Sequence, residues 1–230
     1  MCVSLVGHST ALIECDGVRI LTDPYFGHRG NLAYRRVNLP SANREQLSDV
    51  NAVLISLAHF DHLDRRYLVS VRPEIPVYGP RRTARWIALK GGHSVTGLLP
   101  WQSVQLGDVV VTAVPAHHSA SAVGFVVTVA GKSLYFAGDT YHGRFMSEIG
   151  RRYRPDVCLM PVTTFRIPMT MGNRGAVRAA QDLRARVVIP IHLDIQPRSP
   201  LLRRSESVAS FSRAYRMGWA GYEYRDPLGG

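Results

Sequence analysis

Ser56-Leu57-Ala58-His59-Phe60-Asp61-His62 is the stretch on which the reading of this chain turns. It follows Ala52-Val53-Leu54-Ile55, an apolar run of the length of one buried strand. Two imidazoles and a carboxylate therefore stand within four residues at the mouth of a strand. Asp64 is placed to cap a helix beginning there, with Tyr67, Leu68 and Val71 on its inner face. Side chains at such a turn can converge on one point without disturbing the sheet. His and Asp are the ligand types that suit zinc and similar divalent ions. A lone histidine here would read as an ordinary loop residue; His-x-Asp-His directly after a buried strand reads as a metal site.

The chain around this stretch has 230 residues and 46% hydrophobic content, which suits one well-buried domain spanning 1–230. Cys2, Cys15 and Cys158 show no CxxC spacing, so a reducing, cytoplasmic setting is expected. The opening Met1-Cys2-Val3-Ser4-Leu5 lacks the pattern of a signal peptide, and no apolar run is long enough to cross a bilayer. The net charge is +11, much of it in arginine pairs: Arg35-Arg36, Arg65-Arg66, Arg81-Arg82, Arg151-Arg152 and Arg203-Arg204. Such a charge favours an anionic partner. The pairs are dispersed and not interleaved with aromatics, which reads as a surface rich in arginine with room for a local anionic subsite. It makes no strong case for nucleic acid. The oligomeric state is not encoded in any pattern read here.

Upstream, Val3–Leu5, Ala11–Ile13 and Val18–Leu21 are short apolar runs, the last two joined by an Asp16-Gly17 turn that predicts a hairpin. Residues 25–50 have no clean period and read as a loop of the kind that forms lids. Their Tyr and Arg content (Tyr25, Arg29, Tyr34, Arg35, Arg36) suits an anionic substrate. Downstream, Val77-Tyr78 predicts a strand, followed by a helix through Trp86, Ile87 and Leu89 that Gly91-Gly92 stops. Strands are expected over Ser103–Leu106, Val109–Val114, Phe125–Val129, Leu134–Ala137, Val157–Met160 and Val187–Ile189. Helices are expected over 143–153, over 172–184 with Ala176, Ala180 and Leu183 inward, and from about Ser205 to Met217. Three of the strands run into further donors: His117-His118, Gly138-Asp139 and Pro190-Ile191-His192. Each donor group follows an apolar strand, so one sheet edge could gather them all.

Ser56–His62 resembles the His-x-His-x-Asp-His motif of the metallo-β-lactamase superfamily, with Leu57 where the first His belongs. Gly7-His8-Ser9 and Thr22-Asp23-Pro24 resemble the opening of the branch that includes L-ascorbate-6-phosphate lactonase and N-acylphosphatidylethanolamine phospholipase D. The resemblance runs from Gly7 to the last helix. It implies an α/β fold, an αββα sandwich of two mixed sheets with helices outside. It implies a metal set of His59, Asp61, His62, His118, Asp139 and His192, with Asp61 and Asp139 as catalytic carboxylates. By register with the family's Pro-Ala-x-His pattern His118 is the ligand and His117 the second choice. Position by position, a first site keeps His59 and His118, a second holds Asp61, His62 and His192, and Asp139 bridges them. His8 either approaches the metals or holds backbone groups. His8 and Arg166 are the candidates for contacting substrate.

The implied activity is that of a metal-dependent hydrolase, with zinc (one ion or two) or manganese. Metal-bound hydroxide would attack an anionic small molecule such as a lactone, phosphodiester or phospholipid. No Gly-x-Ser-x-Gly and no P-loop is present, which disfavours a serine nucleophile or a nucleotide-triphosphate site. Leu57 motivates the alternative of a weakened or inactive metal-binding protein on the same scaffold, and the net charge motivates a nuclease. The loss of one nitrogen donor at residue 57 is expected to leave the second site the better occupied of the two.

Overall fold

The structure, a computed structural model, describes residues 1–91, 93–203, 206–218 and 223–224. In chain order the first half runs β1 (Cys2–Gly7), β2 (Thr10–Cys15), β3 (Val18–Thr22), β4 (Tyr34–Arg36), β5 (Ala52–Leu54), α1 (Arg65–Ser70), β6 (Val77–Pro80), α2 (Arg81–Gly91) and β7 (Val95–Leu98). The second half runs β8 (Ser103–Leu106), β9 (Val109–Pro115), β10 (Val123–Val129), β11 (Lys132–Phe136), α3 (Phe145–Tyr153), β12 (Val157–Pro161), α4 (Asn173–Leu183), β13 (Val187–Ile191), β14 (Ile195–Pro197), α5 (Val208–Gly218) and β15 (Glu223–Tyr224).

Each half builds one mixed sheet. The first has the order β1-β2-β3-β5-β6-β7 and the second β15-β13-β12-β11-β10-β9-β8. In both, antiparallel hairpins at one side give way to parallel strands joined by crossovers. The period of two in β5 decides the layering. Ala52 and Leu54 face a core shared with Ile13, Val111, Phe125 and Phe136 of the two sheets. Val53 and Ile55 face Tyr67, Leu68 and Ile87 from α1 and α2. On the second sheet Val126, Tyr135, Cys158 and Val188 meet Met146 and Ile149 of α3, Ala176 and Leu183 of α4, and Phe211 and Tyr215 of α5. The result is helices, sheet, sheet, helices: the expected αββα sandwich.

Asp64 caps α1 as its position suggests, accepting from the backbone N–H groups of Arg66 and Tyr67. The expected loop over 25–50 departs from expectation in one respect: Tyr34–Arg36 forms β4 and pairs antiparallel with β14. No local pattern marks a three-residue strand whose partner lies some 160 positions away. β7 carries no clear pattern either, because Thr96 and Gly97 separate Val95 from Leu98; a Cβ on Gly97 would stand 2.7 Å from the Arg81 Cα. Of the expected helix ends, Gly92 and Ser205 lie outside the described residues. Among the described residues no helix is long and apolar enough to cross a membrane.

Candidate metal centre

The donors converge where the strands end. Two groups have ligand atoms within 4.8 Å of one another: His8, Asp61, His62 and His192 in one, and His59, His118 and Asp139 in the other. Asp139 stands between them. Its Oδ2 lies 3.3 Å from His62 Nε2 and its Oδ1 3.4 Å from His192 Nε2. His192 Nε2 is also 3.6 Å from Asp61 Oδ2. The His59 and His118 rings meet edge to face at 5.2 Å.

Backbone geometry at the site is unusual for side chains with a Cβ. His8, Asp23 and His192 have φ of 56°, 35° and 63°. Each such residue sits in a region that costs roughly 1–2 kcal/mol, and strain of this kind clusters at functional sites. The tight turn at Gly138 (φ 55°) brings Asp139 against the end of β5; a Cβ on Gly138 would lie 2.4 Å from the Ser56 Cβ.

Two carboxylates outside the expected ligand set organise the imidazoles. Asp23 is fully buried. It accepts from the Ser56 backbone N–H at 2.6 Å, from the Ser56 hydroxyl, and from His62 Nδ1 at 2.7 Å. The last bond fixes the His62 tautomer and leaves Nε2 facing Asp139, the carboxylate–histidine arrangement that supports metal ligands. Asp194 accepts from the His8 backbone N–H and from Asn38 Nδ2 at 2.8 Å. Its own backbone N–H donates to His8 Nδ1 at 3.2 Å, which leaves the proton on Nε2, 3.2 Å from Asp61 Oδ2. The His192 N–H donates to the His8 carbonyl at 2.8 Å. His8 thus does both things its position allowed: it ties the opening turn to the last ligand loop, and it steadies Asp61. In the sequence Asp23 stands out only within Thr22-Asp23-Pro24, and Asp194 carries no local signal. The one available signal was Thr-Asp-Pro immediately after a buried strand.

The electrostatics call for a cation. Burial would raise Asp61 and Asp139, yet the neighbouring histidines hold both well below the usual carboxylate range; His192 leads in each case, with His62 next. Burial disfavours a charged His62, but Asp139 and Asp23 lift it well above an ordinary histidine. Burial, reinforced by His192, pushes His8 down to about 4. Burial lowers His59 and His118 too, so their neutral rings offer lone pairs. Among the described residues no Lys or Arg pairs with Asp61 or Asp139. His62 Nε2, Asp139 Oδ1 and both His118 nitrogens are buried without a hydrogen-bond partner. Orphaned donors of these types, aimed at one another, fit a divalent ion.

Leu57 is fully buried and offers nothing to the first group. Neither of the other nearby histidines supplies the missing donor: His8 lies in the second group, and His117 is exposed with its ring edge-on to Tyr141. Arg166 is not among the residues that line the cavity over the centre. It is exposed, and Phe165 and Met169 are the residues of its loop that line that cavity. Arg36, expected to greet substrate, is turned inward instead. Its guanidinium lies over the Tyr25 ring and donates to the carbonyls of Tyr25 (2.8 Å) and Gly27 (3.0 Å).

A two-sheet sandwich with a His/Asp centre at its strand ends defines the metallo-hydrolase class. The family model described as beta-lactamase superfamily domain matches residues 18–193, and the chain belongs to that superfamily, among its metal-dependent hydrolases. More particularly, it is 32% identical over 222 residues to a UPF0173 metal-dependent hydrolase of Caldivirga maquilingensis, covering 92% of each chain. It is 31% identical over 204 residues to the UPF0173 metal-dependent hydrolase of Pyrococcus furiosus, covering 85% of each. Among solved structures it resembles Igni18, a metallo hydrolase of Ignicoccus hospitalis, with a TM-score of 0.77, 24% identity, and 98% and 94% of the two chains covered.

Proposed function

We propose that the chain hydrolyses an anionic small molecule (a lactone, phosphodiester or phospholipid) at a zinc or manganese centre. In this reading Asp61, His62 and His192 hold one ion, His59 and His118 hold a second, and Asp139 is shared. The observation that carries it is the convergence at the strand ends of two His/Asp donor groups in which His62 Nε2, both His118 nitrogens and Asp139 Oδ1 are buried without a hydrogen-bond partner among the described residues. A bound ion supplies Lewis acidity and acidifies a water toward a pKa of about 7. The chain does the rest. Asp23 orients His62, and His8 orients Asp61. Asp61 is ionised and lines the cavity, where it can take a proton from the attacking water. Tyr34, Phe60 and Phe165 close over it and limit the entry of bulk water. The positions of Gly7-His8-Ser9 and Thr22-Asp23-Pro24 at the centre support placing the chain in the lactonase and phospholipase D branch.

Asp139→Ala and His192→Ala should each abolish turnover across an ester and phosphodiester panel. Full activity in either would remove the basis of the proposal. Leu57 favours a second reading, a metal-binding protein with little or no catalysis. Less than one metal per chain after zinc or manganese supplementation, together with no hydrolysis across the panel, would select it.

A further inference from the structure

We infer that the groove beside His118, walled by Arg81 and Arg82, is the subsite for the substrate's anionic group. This rests on the hydrolase reading and deepens it. The cavity directly over Asp61, Asp139 and His192 is only about 60 Å³ and is lined by Tyr34, Phe60, Phe165, Met169 and Ile195. It has room for a scissile group and a few apolar atoms, and among the described residues no Lys or Arg lines it. Ligand sites usually offer roughly 300–1,000 Å³, so the body of the substrate has to lie elsewhere.

The space exists on the other flank of the centre. A groove of about 380 Å³ runs between the β6–α2 junction, the end of β7 and the loop after β9. His118 belongs both to this groove and to the first donor group, so the groove adjoins the centre at that residue. Arg81, Arg82, Ser119 and Ser121 supply its polar wall, and among the described residues no carboxylate lines it. Both arginines are exposed, and neither is paired with an acid among the described residues. They stand on a rigid support, since the Arg81 backbone packs directly on Gly97 of β7. Two arginines without an acid partner among the described residues, in a groove that also carries two serines, suit a carboxylate or a phosphate, which Arg binds through paired N–H donors. The site therefore fits an ester or lactone with a small apolar face at Phe60 and Phe165 and an anionic group beyond His118.

Three probe esters with a common leaving group test this: p-nitrophenyl hexanoate, p-nitrophenyl hydrogen adipate and p-nitrophenyl 6-phosphonooxyhexanoate. In the zinc-loaded wild type, kcat/KM should be higher for one or both charged esters than for the neutral one. Which is preferred distinguishes a carboxylate from a phosphate ligand. In Arg81→Ala/Arg82→Ala the charged-to-neutral ratio should fall about tenfold or more, mainly through KM. Arg81→Lys/Arg82→Lys should retain part of it. An unchanged ratio in the alanine variant, with normal metal content, would overturn the subsite. If the wild type cleaves none of the three, carboxylic esters are excluded as substrates while the phosphodiester panel still decides the hydrolase reading, and calorimetric binding of butyl phosphate reads the groove alone. Binding weakened about tenfold in the alanine variant would uphold the subsite; equal binding, or none to the wild type, would overturn it.

Discussion

Asp23→Asn tests the centre through a residue that is not itself one of the proposed ligands. Asp23 accepts from the Ser56 N–H at one oxygen and from the Ser56 hydroxyl and His62 Nδ1 at the other. Asparagine has the same shape but one donor group. With its amide nitrogen toward His62, two donors would face each other, and the imidazole must move its proton to Nε2. That removes the lone pair aimed at Asp139. Turned the other way, the amide nitrogen would face the buried Ser56 N–H, a mismatch of about 1–3 kcal/mol. Loss of a carboxylate behind a ligating histidine weakens metal binding about 10- to 100-fold, or roughly 1.4–2.8 kcal/mol at 1.4 kcal/mol per decade. Calorimetric titration of metal-stripped protein with zinc reads this directly. The tightest site should weaken by that factor while stoichiometry is kept. An affinity within threefold of wild type, in a variant with normal thermal unfolding, would refute the role assigned to Asp23.

Further outcomes follow from the same geometry. Leu57→His should raise metal stoichiometry toward two per chain by adding a nitrogen beside His59; two equally tight sites in the wild type, unchanged by the substitution, would count against unequal occupancy. Gly138→Ala places a Cβ 2.4 Å from that of Ser56 at a φ of 55°, and should destabilise the fold by about 2–4 kcal/mol in denaturant titration; a neutral result would mean the turn relaxes freely. Asp64→Ala removes the α1 cap and the partner of Arg44, whose Nη2 lies 2.6 Å away. It should lower stability by about 1–3 kcal/mol while zinc affinity stays unchanged, and a loss of zinc binding would show that α1 also shapes the centre.

Much of this was legible because it was local. Val53 and Ile55 alternate with Ala52 and Leu54, Asp64 precedes a helical stripe, and Gly138-Asp139 closes a strand. Each announces its element within a few residues. Which donors meet was legible only through the family resemblance, since strand order is not written in periodicity. What stayed hidden depends on distant partners. β4 exists because β14 pairs with it, and through that pairing Tyr34 comes to roof the cavity. Asp194 acquires its role from His8, 186 positions earlier. The arginine content of residues 25–50 suggested substrate contact, but Arg36 is taken up by the carbonyls of its own loop. A composition count cannot tell such a guanidinium from the unpaired ones at Arg81 and Arg82.

The central claim is that the two donor groups form a metal centre sharing Asp139, with the Asp61–His62–His192 side better filled. Anomalous diffraction at the zinc edge, from crystals of zinc-supplemented protein, tests it most directly. The account requires a strong peak within ligand distance, about 2.0–2.2 Å, of His62 Nε2, His192 Nε2 and an Asp61 oxygen, and a weaker one or none beside His59 and His118. No peak at either group, or a peak confined to His59 and His118, would contradict it.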